Sequence, residues 1–181
     1  MTGGVVYFTS ADGFVYALHE DAGGLQWRTP TQGPIRGGPW VNGGFVYAAS
    51  TDRHVYALEA ATGRRLWMTE LDAPLNAAPV GSSVQVFVGT MAGTVAALDS
   101  RRGTVQWTFS ARGPICTVAE VAGHILFVGS TDDHIYALDT ATGRALWSYR
   151  LGSDAGAPTV VNGWLYVGST DRRLYAFRLE G

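Results

Sequence analysis

The stretch FVYAASTDRHVYALEAATGRRLW, residues 45–67, decides the fold of this chain. It contains two short runs rich in aromatic and β-branched residues, at 45–49 and 54–59, and a third run that reaches Trp67. The polar turns Ser-Thr-Asp-Arg and Ala-Thr-Gly-Arg separate the three runs. Each run is continuously apolar or alternates with period two, and none follows the 3.6-residue period of a helix. The stretch therefore predicts antiparallel strands joined by tight turns.

The same stretch recurs along the chain with a step of about 40 residues, and a fourth apolar segment, at 77–80 in the second copy, completes the unit. The tryptophans, turn glycines and turn aspartates keep this step: Trp27, Trp67, Trp107 and Trp147; Gly63, Gly103 and Gly143; Asp52, Asp132 and, one residue early, Asp171. Four short strands in such a repeat are typical of one β-propeller blade. The predicted fold is all-β, a β-propeller of four-stranded antiparallel blades with about 4.5 repeats.

We expect one domain over residues 1–181, with repeat units at approximately 3–36, 37–76, 77–116, 117–155 and 156–181. Each motif residue has a mechanical role within its unit. The aspartate accepts N–H bonds in an Asx turn, and the glycine adopts a positive φ that other residues resist. The tryptophan lies in the strand after the turn and acts as an aromatic spacer between neighbouring blades. The repeated aspartate, glycine and tryptophan positions are therefore expected to support the fold and not to bind a ligand.

The composition indicates a folded domain and excludes some partners. The chain has 181 residues, of which 46% are hydrophobic and 15% charged, so it is too apolar to be disordered. All 13 basic residues are arginine, 15 acidic residues are interspersed among them, and the net charge is -2. This pattern provides no basic field for nucleic acid or for an anionic membrane surface.

The sequence does not identify a native compartment. The start Met-Thr-Gly-Gly lacks the charged and apolar regions of a signal peptide, and no apolar run approaches the roughly 20 residues of a membrane span. As written the chain is cytoplasmic, although an excised extracytoplasmic domain would have the same sequence. Cys116 is the single cysteine, so it excludes an intrachain disulfide and leaves the redox compartment open.

The unit resembles the pyrroloquinoline-quinone-like (PQQ-like) propeller repeat. The resemblance rests on the spacing of Ser-x-Asp, Tyr-Ala-Leu, Thr-Gly and Trp in residues 46–67 and, more closely still, in residues 127–147. It covers essentially the whole chain. The first copy departs from it with Ala22 in place of threonine, and the third with Ala92 for aspartate and Arg102 for threonine, so the third blade is expected to be looser.

The family resemblance implies two classes of function, quinoprotein dehydrogenases and non-catalytic scaffolds or sensor domains. The dehydrogenases carry a vicinal cysteine pair over the quinone and an axial Ca²⁺ cage of carboxylate and amide oxygens. This chain has one cysteine and three asparagines. We therefore expect no PQQ, no Ca²⁺, no other metal site and no catalytic residues. A fragment of a PQQ-dependent dehydrogenase is the alternative.

One segment varies between copies in a way that suggests recognition. The approach to the innermost strand reads Gly-Pro-Ile-Arg, Ala-Pro-Leu-Asn and Gly-Pro-Ile-Cys in successive units, ending in Arg36, Asn76 and Cys116. A constant frame with a changing residue is how a propeller displays binding groups around its axis. These three are the candidate ligand-binding residues. The competing interpretation is ordinary loop variation, with Cys116 as a small buried apolar side chain.

The strand count leaves ring closure open. The sequence predicts eighteen strands where five complete blades need twenty, because the first blade lacks its inner strand and the last its outer strand. Three outcomes remain: a five-bladed ring with two incomplete blades, a piece of a longer propeller, or pairing of open blade edges between chains. The last two together are favoured. The expected function is a non-enzymatic propeller scaffold that binds a protein or a small ligand at the ring axis and self-associates through its open edges.

Overall fold

The computed structural model of the chain describes residues 4–179, with the side chains of residues 118 and 119 excepted. Within this range the backbone forms eighteen strands and five antiparallel sheets. Residue 3 of the first predicted repeat unit, residues 180 and 181 of the last, and the start of the chain considered for a signal peptide (residues 1–3) lie outside the described residues. None of the described segments is a helix long and apolar enough to cross a membrane.

The strands follow one another in chain order, and each sheet corresponds to one repeat. The first sheet has β1 (Val5–Thr9), β2 (Phe14–His19) and β3 (Leu25–Pro30). The second has β4 (Trp40–Asn42), β5 (Phe45–Ala49), β6 (His54–Glu59) and β7 (Arg65–Glu70). The third has β8 (Val80–Gly81), β9 (Gln85–Gly89), β10 (Thr94–Asp99) and β11 (Val105–Ser110). The fourth has β12 (Thr117–Ala122), β13 (Ile125–Gly129), β14 (His134–Asp139) and β15 (Ala145–Arg150), and the fifth has β16 (Thr159–Val161), β17 (Trp164–Gly168) and β18 (Leu174–Arg178).

The three central sheets have four strands each, and the first and fifth sheets have three. All strand pairs are antiparallel neighbours in sequence, as tight turns between consecutive strands require. Among the described residues, no strand pairing joins the first sheet to the fifth. The predicted all-β propeller fold is confirmed, with an incomplete ring of five blades.

An Ala-Leu pair recurs with the repeat, at residues 17–18, 57–58, 97–98 and 137–138, and it has the same place in the two outer strands of the first four blades. The alanine lies opposite the tryptophan, as in Ala57 opposite Trp67, and a β-bulge follows between the alanine and the leucine. The same register occurs in the first, third and fourth blades. A small residue opposite the large indole leaves room for the ring, and the bulge re-aims the strand beyond it.

The hydrophobic core lies between blades. At the junction of the second and third blades, Tyr47, Val55 and Ala57 of one blade pack against Val88 and Leu98 of the next, all of them buried. Equivalent clusters fill the other three junctions. Because side chains alternate between the two faces of a strand, each central blade contributes one set of side chains to the preceding junction and another to the following one.

The first strand of each complete blade is the innermost one. Strand β12 contacts β8 of the third blade on one side and β16 of the fifth blade on the other. The backbones approach closely where Gly37, just before β4, lies against Ala77 and Ala78: a Cβ on this glycine would overlap the Ala78 nitrogen. This close approach requires glycine at position 37 and brings the inner ends of neighbouring blades together.

Candidate functional site

The three predicted ligand-binding residues occupy equivalent positions at successive blade junctions. Arg36 and Cys116 are exposed and Asn76 is partly buried. Each one directly follows a buried apolar residue, Ile35, Leu75 or Ile115. The chain at these points runs from the outer strand of one blade towards the inner strand of the next.

A repeated backbone hydrogen bond fixes these segments. The amide N–H of Ile35 donates to the Ser10 carbonyl at 3.2 Å, and that of Leu75 to the Ser50 carbonyl at 3.2 Å. The corresponding bonds in the next two junctions join Ile115 to Thr90 at 3.0 Å and Ala155 to Ser130 at 3.2 Å. The acceptors all belong to the turn between the second and third strand positions of the preceding blade. The varying residues are therefore displayed from one constant backbone frame.

Cys116 lies in a shallow recess of about 470 Å³ together with Thr131, Asp154 and Ser169. The interpretation of this cysteine as a buried apolar residue is wrong, because its side chain is exposed. Partial desolvation in the recess, and secondarily the negative charge of Asp154, raise the pKa of the thiol. The side chain is thus held in its protonated form, which is a poor nucleophile.

Asn76 and Arg36 are in different surroundings from Cys116. The amide nitrogen of Asn76 donates to the Met91 sulfur at 3.2 Å, in the turn of the third blade. Among the described residues, no hydrogen bond links Arg36, Asn76 and Cys116 to one another. The structure places the three residues along a row of equivalent junctions and does not bring them into one pocket.

The turn aspartates accept bonds within their own junctions. Asp52 accepts from the Tyr56 hydroxyl at 2.8 Å and from the backbone N–H groups of His54 and Gln32 at 2.9 and 2.8 Å. Burial alone would raise the pKa of the Asp52 carboxyl, but these bonds outweigh it and hold the pKa below its ordinary value. Burial and the same carboxylate raise the pKa of Tyr56 to about 12.

The fourth blade repeats this arrangement, in which Asp132 accepts from Tyr136 at 2.7 Å, and the fifth does so with Asp171 and Tyr175 at 2.6 Å. The third blade has Ala92 at this position, and its carboxylate comes from another segment: the Thr94 hydroxyl donates to Asp72 at 2.5 Å. Asp52 and Asp132 also accept a backbone N–H from the preceding loop, that of Gln32 and Arg112 respectively, so these two carboxylates join turn to loop.

The histidines at equivalent positions in two blades are also bound to these turns. His54 Nδ1 is 3.0 Å from the carbonyl oxygen of Asp52, and His134 Nδ1 is 2.8 Å from that of Asp132. Within residues 4–179, no three His, Cys, Asp or Glu side chains are grouped so that they could hold a metal ion. With a single cysteine in the chain, the described residues do not fit a quinone site of the cysteine-pair and Ca²⁺ type.

Three of the four repeat tryptophans bond to the following blade. The indole Nε1–H groups of Trp27, Trp67 and Trp107 donate to the carbonyls of Ala60, Ser100 and Thr140 at 2.9, 3.0 and 2.8 Å. A turn glycine lies flat against each ring: a Cβ on Gly63, Gly103 or Gly143 would be 2.6, 2.6 or 2.5 Å from the nearest ring carbon. These glycines have φ values of 71°, 71° and 72°. In each case the indole ring packs directly on the turn glycine of the next blade, which has no Cβ. We call this repeated packing the tryptophan–turn contact.

Trp147 differs from the other three tryptophans. Its side chain is 38% exposed, whereas Trp27 is 8% exposed. A cavity of about 590 Å³ lies beside it between the fourth and fifth blades, lined by apolar side chains that include Phe127, Leu165 and Phe177. On the fourth-blade side the cavity is lined by Leu146 and Trp147, and on the fifth-blade side by Phe177 and Leu179. The sequence signals the exposure of Trp147. Each of the other three repeat tryptophans is followed 36 residues later by its partner glycine, whereas Trp147 has no such glycine within the chain.

Five antiparallel sheets stacked through apolar faces, with a tryptophan–turn contact at successive junctions, define a β-propeller array of the PQQ-like repeat class. The chain belongs to the family described as outer membrane protein assembly factor BamB, whose family model matches residues 11–122 and 117–181. The predicted resemblance to PQQ-like repeats is confirmed.

Solved structures share the fold. The crystal structure of BamB from Moraxella catarrhalis is 26% identical to this chain, with a TM-score of 0.89 over 98% of this chain and 59% of that one. The computationally designed Ika8 protein is 18% identical, with a TM-score of 0.89 over 99% of this chain and 57% of its own. The designed Ika4 protein, also 18% identical, has a TM-score of 0.76 over 83% of this chain and 94% of its own. None of the curated proteins compared with this chain matches it.

The lengths in these comparisons differ. This chain spans less than three fifths of the length of BamB and of Ika8. The likeness to the two designed proteins concerns the fold alone, whereas the family match and the BamB structure connect the chain to a propeller scaffold.

Proposed function

We propose that this chain is a non-catalytic propeller scaffold that binds a protein partner at the inner ends of its blades and self-associates through its two incomplete end blades. The observation that carries the binding proposal is the constant frame that displays Arg36, Asn76 and Cys116 at successive junctions. A row of different side chains on a rigid frame suits an extended peptide or a protein surface better than one small molecule. The family description, outer membrane protein assembly factor, also favours a protein as the partner.

Two features favour binding over catalysis. The thiol of Cys116, the single cysteine of the chain, has a raised pKa and so remains protonated near neutral pH. The turn carboxylates of Asp52 and Asp132 are engaged by tyrosine hydroxyls and backbone N–H groups. We accordingly propose that the protein works without PQQ or Ca²⁺. Titration with both, followed by absorbance and melting temperature, tests this: a large rise in the melting temperature would contradict it.

The binding proposal is tested with a random peptide library displayed on phage. The library is panned on the wild-type chain and enriched clones are compared on a variant carrying Arg36→Glu, Asn76→Asp and Cys116→Ser. The matched control is Arg144→Glu, because Arg144 is also exposed but lies in a turn between outer strands. We expect enriched clones to bind the control and to lose binding to the triple variant. Clones that bind all three equally, or a library with no enrichment, would refute the site.

A further inference from the structure

The two ends of the array expose opposite halves of one blade junction. In the first blade, Val15 and Ala17 face the second blade, so the intervening side chains face away from it. We call this surface the head face: Val6, Phe8, Tyr16 and Leu18. In the fifth blade, Leu165 and Val167 face the fourth, and the opposite surface, the tail face, comprises Tyr166, Leu174 and Ala176.

The repeat shows which surface each end face would meet. Tail-face residues Tyr166, Leu174 and Ala176 are the equivalents of Phe127, Ile135 and Ala137, which the fourth blade buries against the fifth. On the other side of that junction, the fifth blade contributes Leu165, Val167, Tyr175 and Phe177, the equivalents of head-face residues Val6, Phe8, Tyr16 and Leu18. The tail face is thus the first half of a blade junction, and the head face is the second half.

The residues named for the two end faces are apolar or aromatic and no neighbouring blade covers them within the described chain, while Arg178, at the end of β18, shares the tail face. Leu174 is 71% exposed and Phe8 is 37% exposed. Their interior equivalents Ile135 and Val167 are fully buried, each with 0% exposure. On the head face, the Phe8 and Tyr16 rings stack at a centroid distance of 4.9 Å, which gives a flat aromatic surface. Surfaces of this kind are typical of protein interaction sites.

The charges of the two end blades are opposite. Residues 1–30, which include the first blade, carry a net charge of −2, from Asp12, Glu20 and Asp21 against Arg28. Residues 156–181, which include the fifth blade, carry a net charge of +1, from Arg172, Arg173 and Arg178 against Asp171 and Glu180. Like end blades repel each other, and unlike end blades attract. Charge therefore favours contact of a head with a tail over contact of two heads or two tails.

We propose that the tail face of one copy packs on the head face of a second copy, as one more blade junction, so that the array grows head to tail. The proposal deepens the proposed self-association and rests on it, but assigns it to the blade faces instead of the strand edges. Such a contact is heterologous, and copies add until the ring closes or a filament forms. High salt weakens it, because the attraction between the end blades is screened.

Three single variants test the assignment by sedimentation velocity across a wide dilution series. Leu174→Glu blocks the tail and Phe8→Glu blocks the head, because each would bury an unpaired carboxylate in an apolar junction. Val84→Glu is the matched control, since Val84 is 63% exposed and lies between β8 and β9, away from both end faces. We expect each end-face variant to weaken association at least about tenfold, which corresponds to about 1.4 kcal/mol, and the control to associate like wild type.

A mixture of the two blocked variants gives the decisive result. The Phe8→Glu chain retains a working tail and the Leu174→Glu chain retains a working head, so an equimolar mixture should form a dimer and nothing larger. Melting temperatures of the separate variants check that each one folds, and Leu174→Gln replaces Leu174→Glu if the latter does not. A wild-type monomer at every concentration would overturn self-association as a whole. Association that survives both end-face variants, or a mixture that stays monomeric, would overturn only the head-to-tail faces.

Discussion

The substitution Gly103→Ala adds a methyl group at the tryptophan–turn contact, so its effect on the melting temperature measures how much this contact stabilises the protein. In Gly103→Ala the new Cβ would be 2.6 Å from two carbons of the Trp67 ring and 2.8 Å from the Thr69 hydroxyl. The indole must therefore shift, and its 3.0 Å bond to the Ser100 carbonyl is disturbed. Such overpacking costs about 1–3 kcal/mol. The left-handed backbone, with φ of 71°, adds about 1–2 kcal/mol for any residue with a Cβ.

The control for this substitution is Gly123→Ala. Gly123 has a φ of 61°, and a Cβ added to it would have no heavy atom within 4 Å, so the variant bears the backbone cost without the clash. For a chain of this size about 1 kcal/mol shifts the melting temperature by about 2–4 °C. We expect Gly103→Ala to melt roughly 2–12 °C below Gly123→Ala by differential scanning calorimetry. Equal melting temperatures would refute the idea that the indole and the bare glycine hold neighbouring blades together.

Three further predictions concern the turns, the core and the thiol. The pKa of Asp52 is lower in the folded protein than in the unfolded chain. Ionised Asp52 therefore stabilises the folded state above its pKa in the unfolded chain, about 3.9, and this contribution is lost as pH falls through its pKa in the folded state. Urea unfolding should therefore show Asp52→Asn less stable than wild type at pH 6, and this difference should narrow as pH falls below about 3.9; a difference that does not narrow on acidification would contradict this. Ala57→Leu places a larger side chain opposite Trp67 at a fully buried position and should cost about 1–3 kcal/mol, measured from the urea midpoint; a neutral result would show that the register does not demand a small residue. The Cys116 thiol, with its raised pKa, should react with a disulfide reagent at pH 7–8 more slowly than a free cysteine derivative, and faster reaction would contradict the assigned surroundings.

Much of the fold follows from local patterns in the sequence. Strand runs of period two and turns with Asp or Gly at fixed offsets are short-range signals, and they predicted the eighteen strands and the incomplete first and fifth sheets. The positive φ of Gly63 also follows from its turn. These features depend on a few neighbouring residues, so one copy of the repeat contains the information.

The relations between blades were harder to predict, because they join residues far apart in sequence. Asp72 supplies the carboxylate that Ala92 lacks, and Glu120 accepts a bond from the Val160 amide of the next inner strand at 2.5 Å. The Asp72–Thr94 pair, 22 residues apart, has no spacing that marks it in the sequence. Glu120 and Val160 are one repeat of 40 residues apart, but no other copy signals that a glutamate here would bond to the next inner strand. The exposure of Cys116 likewise depends on how the loop of one blade meets the turn of another. A single substitution in one copy can change a contact between two blades while the sequence pattern of the repeat stays the same.

Hydrogen exchange of the indole N–H groups, followed by NMR, tests most directly whether neighbouring blades are joined through their tryptophans. Single Trp→Phe variants assign the signals. We expect slow exchange for Trp27, Trp67 and Trp107, whose N–H groups are bonded to the following blade, and fast exchange for the partly exposed Trp147. Fast exchange at all four positions, or equal protection of all four in the monomer, would contradict the tryptophan–turn contact as the link between blades.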